Sequence, residues 1–113
     1  MNHPDIDIER ITRQLEDAKE ALIDQSYQSK ESRATVMLDQ QSVGRLSRMD
    51  ALQGQAMAMA EEDRRQLAIR WINTALARIV REEYGECIEC GEWIAAKRLE
   101  WDPAVLKCID CAE

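Results

Sequence analysis

No phenylalanine occurs in this 113-residue chain, and the remaining aromatic residues are three Trp and two Tyr. A large globular core draws on bulky rings. Their scarcity, beside an abundance of Ala, Leu, Ile, Gln, Glu and Arg, favours long helices instead. Long apolar runs are also missing: none approaches the roughly twenty residues of a membrane span. The N-terminus, Met1-Asn2-His3-Pro4-Asp5, lacks the basic and apolar regions of a secretory signal, so a cytoplasmic protein with no membrane association is expected. Positive charge is in deficit, with 15 basic against 22 acidic side chains and a net charge of −7. That balance excludes tight non-specific binding to nucleic-acid backbones, which needs clustered Lys and Arg to release counterions. It suits a partner that is another protein. There is one histidine, His3, expected to be exposed at a frayed terminus, and no Gly-rich phosphate loop or marked nucleophile–base pair. No enzyme is read from such a set.

What the chain does contain is a pair of cysteine motifs, Cys87-Ile88-Glu89-Cys90 and Cys108-Ile109-Asp110-Cys111, holding its only four cysteines with seventeen residues between the pairs. The spacing is that of a four-thiolate zinc site. Zinc(II) is borderline-soft and tetrahedral, and four Cys sulfurs close its coordination when its role is structural. Catalytic zinc keeps an open position, which four thiolates do not leave. Gly91 follows the first pair, where a knuckle often needs a positive backbone dihedral. Disulfides are disfavoured without a secretory context, and no βαβ pattern supports a thioredoxin-like redox pair. The segment is too short to fold by apolar burial alone, so one structural zinc is expected to order it.

The rest reads as a helical hairpin over residues 1–84, ahead of a zinc module over 85–113. Pro4 suits a first helical position, and Asp5, Asp7 and Glu9 complement the helix dipole. Ile8, Ile11, Leu15, Ala18 and Leu22 recur at spacings of three and four, a heptad seam. From Ile23 the seam is expected to shift by one place through Tyr27, Lys30, Ala34 and Met37. A first helix over about 5–38 would be roughly 50 Å long at 1.5 Å per residue, too long for anything but one arm of a hairpin. The tip is expected at about 39–47. Ser47-Arg48-Met49-Asp50 matches a capping box, with Ser42 as an alternative start, so Asp50 reads either as a capping carboxylate or as a functional one. A second helix over about 48–84 carries Leu52, Ala56, Met59, Leu67, Trp71, Ala75, Ile79 and Val80 toward the first. Glu61 to Gln66 is assigned to the solvent side, and Gly85 to the helix C-terminus. Met37, Met49, Met57 and Met59 read as gap-filling core between the helices, or as an adaptable contact surface. The fold class is therefore mainly α: a long antiparallel two-helix coiled-coil hairpin followed by a small four-cysteine zinc finger.

Tyr84-Gly85-Glu86-Cys87-Ile88-Glu89-Cys90-Gly91, then Ala96-Lys97-Arg98-Leu99-Glu100 and Leu106-Lys107-Cys108-Ile109-Asp110-Cys111, resemble the DksA/TraR family of bacterial C4 zinc-finger transcription regulators. The resemblance is specific over residues 84–111 and architectural over 5–83. It implies a protein that binds RNA polymerase directly rather than promoter DNA and inserts its hairpin into the secondary channel; a monomer is expected. It also implies modulation of initiation, often together with the alarmone guanosine tetraphosphate. Two departures stand out. The acidic Asp-x-x-Asp-x-Ala pattern of the best-known member's tip has no match, and the helix that follows the finger in some relatives is expected to be missing. Between residues 32 and 60 the acids are Asp39 and Asp50, against Arg33, Arg45 and Arg48. Asp39, Arg45, Arg48 and Asp50 are thus the candidate partner-binding residues of the tip, and Cys87, Cys90, Cys108 and Cys111 the metal ligands. Two alternatives come from other classes. One is a nucleic-acid-binding zinc module with a helical dimerisation arm, and the other a thiol redox or zinc-responsive sensor.

Overall fold

A computed structural model describes residues 1–33 and 45–112 of the chain, without the side chains of 31, 32 and 45–48. Its helices are α1 (Ile8–Gln28), α2 (Lys30–Arg33), α3 (Arg45–Val80) and α4 (Ala96–Trp101). α1 and α2 pack against α3 as the two arms of a hairpin. At 36 residues, α3 alone accounts for about 54 Å at 1.5 Å per residue. The molecule measures 64 × 28 × 20 Å, with a radius of gyration of 19.5 Å. A compact domain of this length would have a radius near 13 Å.

The chain reaches its first helix later than Pro4 suggested. Asp7 is the N-cap, its side chain accepting from the Arg10 N–H at 3.3 Å, so the helix begins at Ile8. The residues before it form a strap across the base of the hairpin. Asn2 donates to the Ile79 carbonyl at 3.2 Å and accepts from the Tyr84 N–H at 3.0 Å. His3 is 4% exposed rather than solvated at a frayed end. Its backbone N–H bonds the Tyr84 carbonyl and its ring bonds the Ile94 carbonyl at 2.7 Å.

α3 ends at Val80, short of the expected 84, and Gly85 is not its C-terminus. Glu82 takes the left-handed conformation at φ 60°. Its N–H bonds the Ile79 carbonyl, and the Glu83 N–H bonds that of Arg78. This pair of bonds is the Schellman closure, made here without the usual glycine. Gly85, at φ +95°, serves a close approach instead: a Cβ there would stand 2.5 Å from the Cβ of His3.

The seam between the arms is one place away from the expected one for much of its length. On α3 the inward positions are Ala51, Gln55, Ala58, Glu62, Arg65, Ile69, Ile72, Leu76 and Ile79, an unbroken alternation of three and four. Leu52, Met59, Leu67, Trp71 and Val80 are exposed, while Ala75 is buried as expected. On the first arm Ile11 and Leu15 are buried, but Ile23 and Tyr27 are exposed. The seam does not shift there; it continues through Leu22, Ser26, Ser29 and Arg33. Met49, Met57 and Met59 are exposed and fill no gap in the core, and Met37 lies outside the described residues.

Polar residues hold the register in the middle of this seam. Glu62, assigned above to the solvent side, is only 7% exposed. Its carboxylate accepts from Ser26 Oγ at 2.6 Å and Gln66 Nε2 at 2.8 Å, and pairs with Arg33 at 3.1 Å and Arg65 at 3.2 Å. Arg65 also donates to Ser29 Oγ at 2.8 Å, and Arg33 to the Ser26 carbonyl at 2.7 Å. A charge is retained inside a protein only when it is paired and hydrogen-bonded in this way. The hydrogen bonds from Gln66 and Ser26 lower the Glu62 pKa most. Against the opposing effect of burial, and aided by Arg65 and Arg33, they bring it to about 2.

Toward the base the seam turns apolar and runs on into the finger. Ile6, Ile11, Leu15, Ile72 and Ala75 share one core with Tyr84, Cys87, Ile94 and Leu99.

Candidate metal centre

Two turns present the cysteines. In the first, the Gly91 N–H bonds the Cys87 carbonyl at 3.0 Å, with Gly91 at φ +74°. An isolated antiparallel bridge, Glu86 to Trp93, closes the loop around it, and the Cys87 N–H bonds the Glu92 carbonyl. In the second, the Cys111 N–H bonds the Cys108 carbonyl at 3.1 Å. The Ile88 N–H, bonded to the Leu106 carbonyl at 3.0 Å, ties one knuckle to the other. Between them, α4 seats Leu99 in the core, and the buried Tyr84 hydroxyl donates to the Pro103 carbonyl at 2.8 Å.

The four sulfurs of Cys87, Cys90, Cys108 and Cys111 all lie within 4.8 Å of one another. Cys90 and Cys108 stand 3.7 Å apart, and all four cysteines are free thiols. A disulfide would need about 2.05 Å between sulfurs. Four sulfurs at about 2.3 Å from a central zinc would instead be separated by roughly 3.8 Å along each tetrahedral edge. The donor set also calls for a cation on electrostatic grounds. Backbone N–H groups of residues 90 and 108 favour the Cys87 thiolate and bring its pKa to about 6. The crowded Cys108 and Cys87 sulfurs push that of Cys111 upward. Four thiols this close do not ionise together without a positive ion among them, and a divalent ion removes that obstacle. One structural zinc fits the cluster, with every coordination position taken by sulfur and none left for catalysis.

The candidate tip residues are not brought to this centre. Asp50 is exposed on α3, thirty residues before its C-terminus, or about 45 Å along the helix. Ser47 lies inside α3 and therefore does not cap it, which removes the capping-box reading of Asp50. Arg45 and Arg48 belong to the first turns of α3, and Asp39 and the alternative start at Ser42 lie outside the described residues. Two constellations escaped the sequence reading, the Asn2–His3 strap and the Glu62 network. A sequence signal existed for the second alone: the three-and-four alternation on α3 is unbroken only if Glu62 and Arg65 are counted as inward.

Among the described residues, no helix is long and apolar enough to cross a membrane. Residues 82–113 match the prokaryotic DksA/TraR C4-type zinc finger. The RNA polymerase-binding transcription factors DksA of Escherichia coli, Salmonella typhimurium and Shigella flexneri are 34% identical to this chain over 56 residues. That match takes in 50% of this chain and 37% of each relative, so the chain spans well under half of their length. Over a longer stretch, the structure of transcription factor DksA2 from Pseudomonas aeruginosa superposes with a TM-score of 0.58 at 23% identity. It covers 89% of this chain and 70% of the other, which extends the likeness in fold from the finger to the hairpin. The finger is thus of the DksA/TraR C4 type, and the likeness in fold to a DksA protein extends over the hairpin that carries it.

Proposed function

We propose that this protein is a non-catalytic transcription regulator that binds RNA polymerase, with a helical hairpin (1–84) as probe and a zinc finger (85–113) as base and dock. The observation that carries the reading is the family finger seated at one end of a 64 Å molecule, sharing a core with the hairpin. A rod of this length, held rigidly at its base, delivers its far end deep into a narrow opening such as the polymerase secondary channel. The curated relatives are named as RNA polymerase-binding factors, which supports the same partner. Cys87, Cys90, Cys108 and Cys111 hold the structural metal in this reading, and Asp39, Arg45, Arg48 and Asp50 are its partner-facing candidates. Modulation of initiation, a role for guanosine tetraphosphate, a monomeric state, a cytoplasmic location and the absence of sequence-specific DNA binding are parts of the same proposal. The chain's charge of −7 supports the last of these.

The test is co-purification of tagged protein with core polymerase in the absence of DNA, followed by crosslinking from a photoreactive residue at position 45. Association that survives DNase, with crosslinks near the polymerase active site, is the expected result. No association at micromolar protein, or association lost on DNase treatment, overturns the reading. Asp39→Asn and Asp50→Asn are expected to leave folding intact and change transcription in vitro.

A further inference from the structure

The two arms are held together differently on either side of Glu62. Toward the finger, Ile11 and Leu15 of α1 are buried with Ile72 and Ala75 of α3, and Leu22, Leu76 and Ile79 pack against them. Away from the finger, the inward positions of α3 are Ala51, Gln55 and Ala58, all small or polar. Among the described residues 49–61 none is buried. Gln55 Nε2 donates across the seam to the Arg33 carbonyl at 3.4 Å, a long bond. Buried apolar surface, at about 25 cal/mol per Å², is what makes a segment costly to open. The distal length of the hairpin is therefore the cheaper one to part.

The first arm is interrupted at the same level. α1 ends at Gln28 and α2 starts at Lys30, with Ser29 between them at φ −85° and ψ 2°. The Ser26 carbonyl, one turn back, is taken by side chains: Ser29 Oγ donates to it at 3.1 Å and Arg33 at 2.7 Å. Back-bonding of this kind weakens and bends a helix. Across the seam α3 runs unbroken from Arg45 to Val80. Its Glu62 and Arg65 grip Ser26, Ser29 and Arg33, on both sides of the break. The polar cluster thus joins α1 to α2 and both of them to α3. Its bonds share one carboxylate and one hydroxyl, so they form and part together rather than one at a time.

We propose that the hairpin opens in two stages, with the Glu62 cluster as the clasp between them. The distal section, residues 30–33 with 45–61, parts as one unit while the base, 8–22 with 66–79, stays closed together with the finger. Arg45, Arg48 and Asp50 all lie on the section that opens, so that end of the hairpin changes its pose without disturbing the metal centre. The clasp acts in this way whatever the hairpin binds. Residue-resolved amide hydrogen exchange on the full-length, zinc-loaded chain is the test. Amides of 49–61 should share one level of protection, about tenfold or more below that of 66–79, with a step at the clasp. Ile72→Val loosens the base and should speed exchange of the base amides about fivefold. It should leave the distal amides unchanged, because the partial opening breaks no contact of Ile72. Glu62→Gln should speed both classes by a similar factor, since the clasp is broken in the partial and the global opening alike. Protection that climbs smoothly along α3 from its start is fraying of a helix end and overturns the clasp. So does Ile72→Val speeding both classes together, which means that the arms separate only by global unfolding. Distal exchange unaltered in Glu62→Gln removes Glu62 from the device and overturns it as well.

Discussion

His3 and Gly85 form the tightest contact by which the strap reaches the finger. His3 accepts from the Asp5 N–H at its Nδ1, so the proton of the neutral ring sits on Nε2, which donates to the Ile94 carbonyl. The ring lies directly over Gly85, whose left-handed φ of +95° and lack of a Cβ let the two backbones meet. Gly85→Ala meets both obstacles at once, backbone strain and a 2.5 Å overlap with His3 Cβ, and should cost about 3 kcal/mol. Gly91 separates the two effects, since its φ is +74° but open space surrounds it; Gly91→Ala should cost only about 1 kcal/mol. His3→Ala alone leaves the Ile94 carbonyl unpartnered and should cost about 2 kcal/mol. In the double variant His3→Gly/Gly85→Ala, which removes the opposing Cβ, the loss should fall well below the sum of the His3→Gly and Gly85→Ala losses. Additive losses in denaturant melts would show that the strap does not rest on Gly85.

At the scale of the helices, the hairpin is keyed by a charge rather than by a continuous apolar stripe. Burying Glu62 between Arg33 and Arg65 adds little net stability against hydrophobic packing, but removing one partner leaves charges stranded. Glu62→Ala should therefore cost about 3 kcal/mol. The acid behaviour follows from the sign of the shift. The folded-state pKa lies near 2, below the ordinary 4.5, so the stabilisation is full above about 4.5 and is lost as pH falls toward 2. Glu62→Gln should lower the melting temperature near neutral pH and flatten its decline between those two values, while an unchanged acid profile would remove Glu62 from the account. This network also explains what the sequence did and did not disclose. The four cysteines were legible because two intervening residues and a fixed ion geometry leave little freedom. The hairpin was legible from the Ile8–Leu22 spacing. The seam of α3 was misread because Leu52, Met59, Leu67 and Trp71 form an apolar stripe beside the true one, and hydrophobicity was followed where hydrogen bonding decides. His3 was misplaced because its partners, Tyr84 and Ile94, stand more than eighty positions away in the chain.

Across the whole molecule, finger and hairpin base are coupled, which alters what metal removal should do. A finger hung on the end of an independent coiled coil would unfold alone, leaving the helical signal largely intact. Here Tyr84, Ile94 and Leu99 are packed in the same core as Ile11, Leu15 and Ile72, and the strap ties Asn2 and His3 to both sides of that joint. A structural zinc contributes about 10–16 kcal/mol, comparable with the entire stability of a typical domain at about 5–15 kcal/mol. Losing it should therefore release the finger and strip the apolar partners from the hairpin base together. Chelation under reducing conditions is expected to abolish the near-ultraviolet signal of the aromatic residues and to lower the helical transition as well. Added zinc should restore both signals, and magnesium neither, because thiolates select the softer ion. A helical transition unmoved by chelation, measured in the far ultraviolet alongside complete loss of the near-ultraviolet signal, would show that the hairpin stands without the finger.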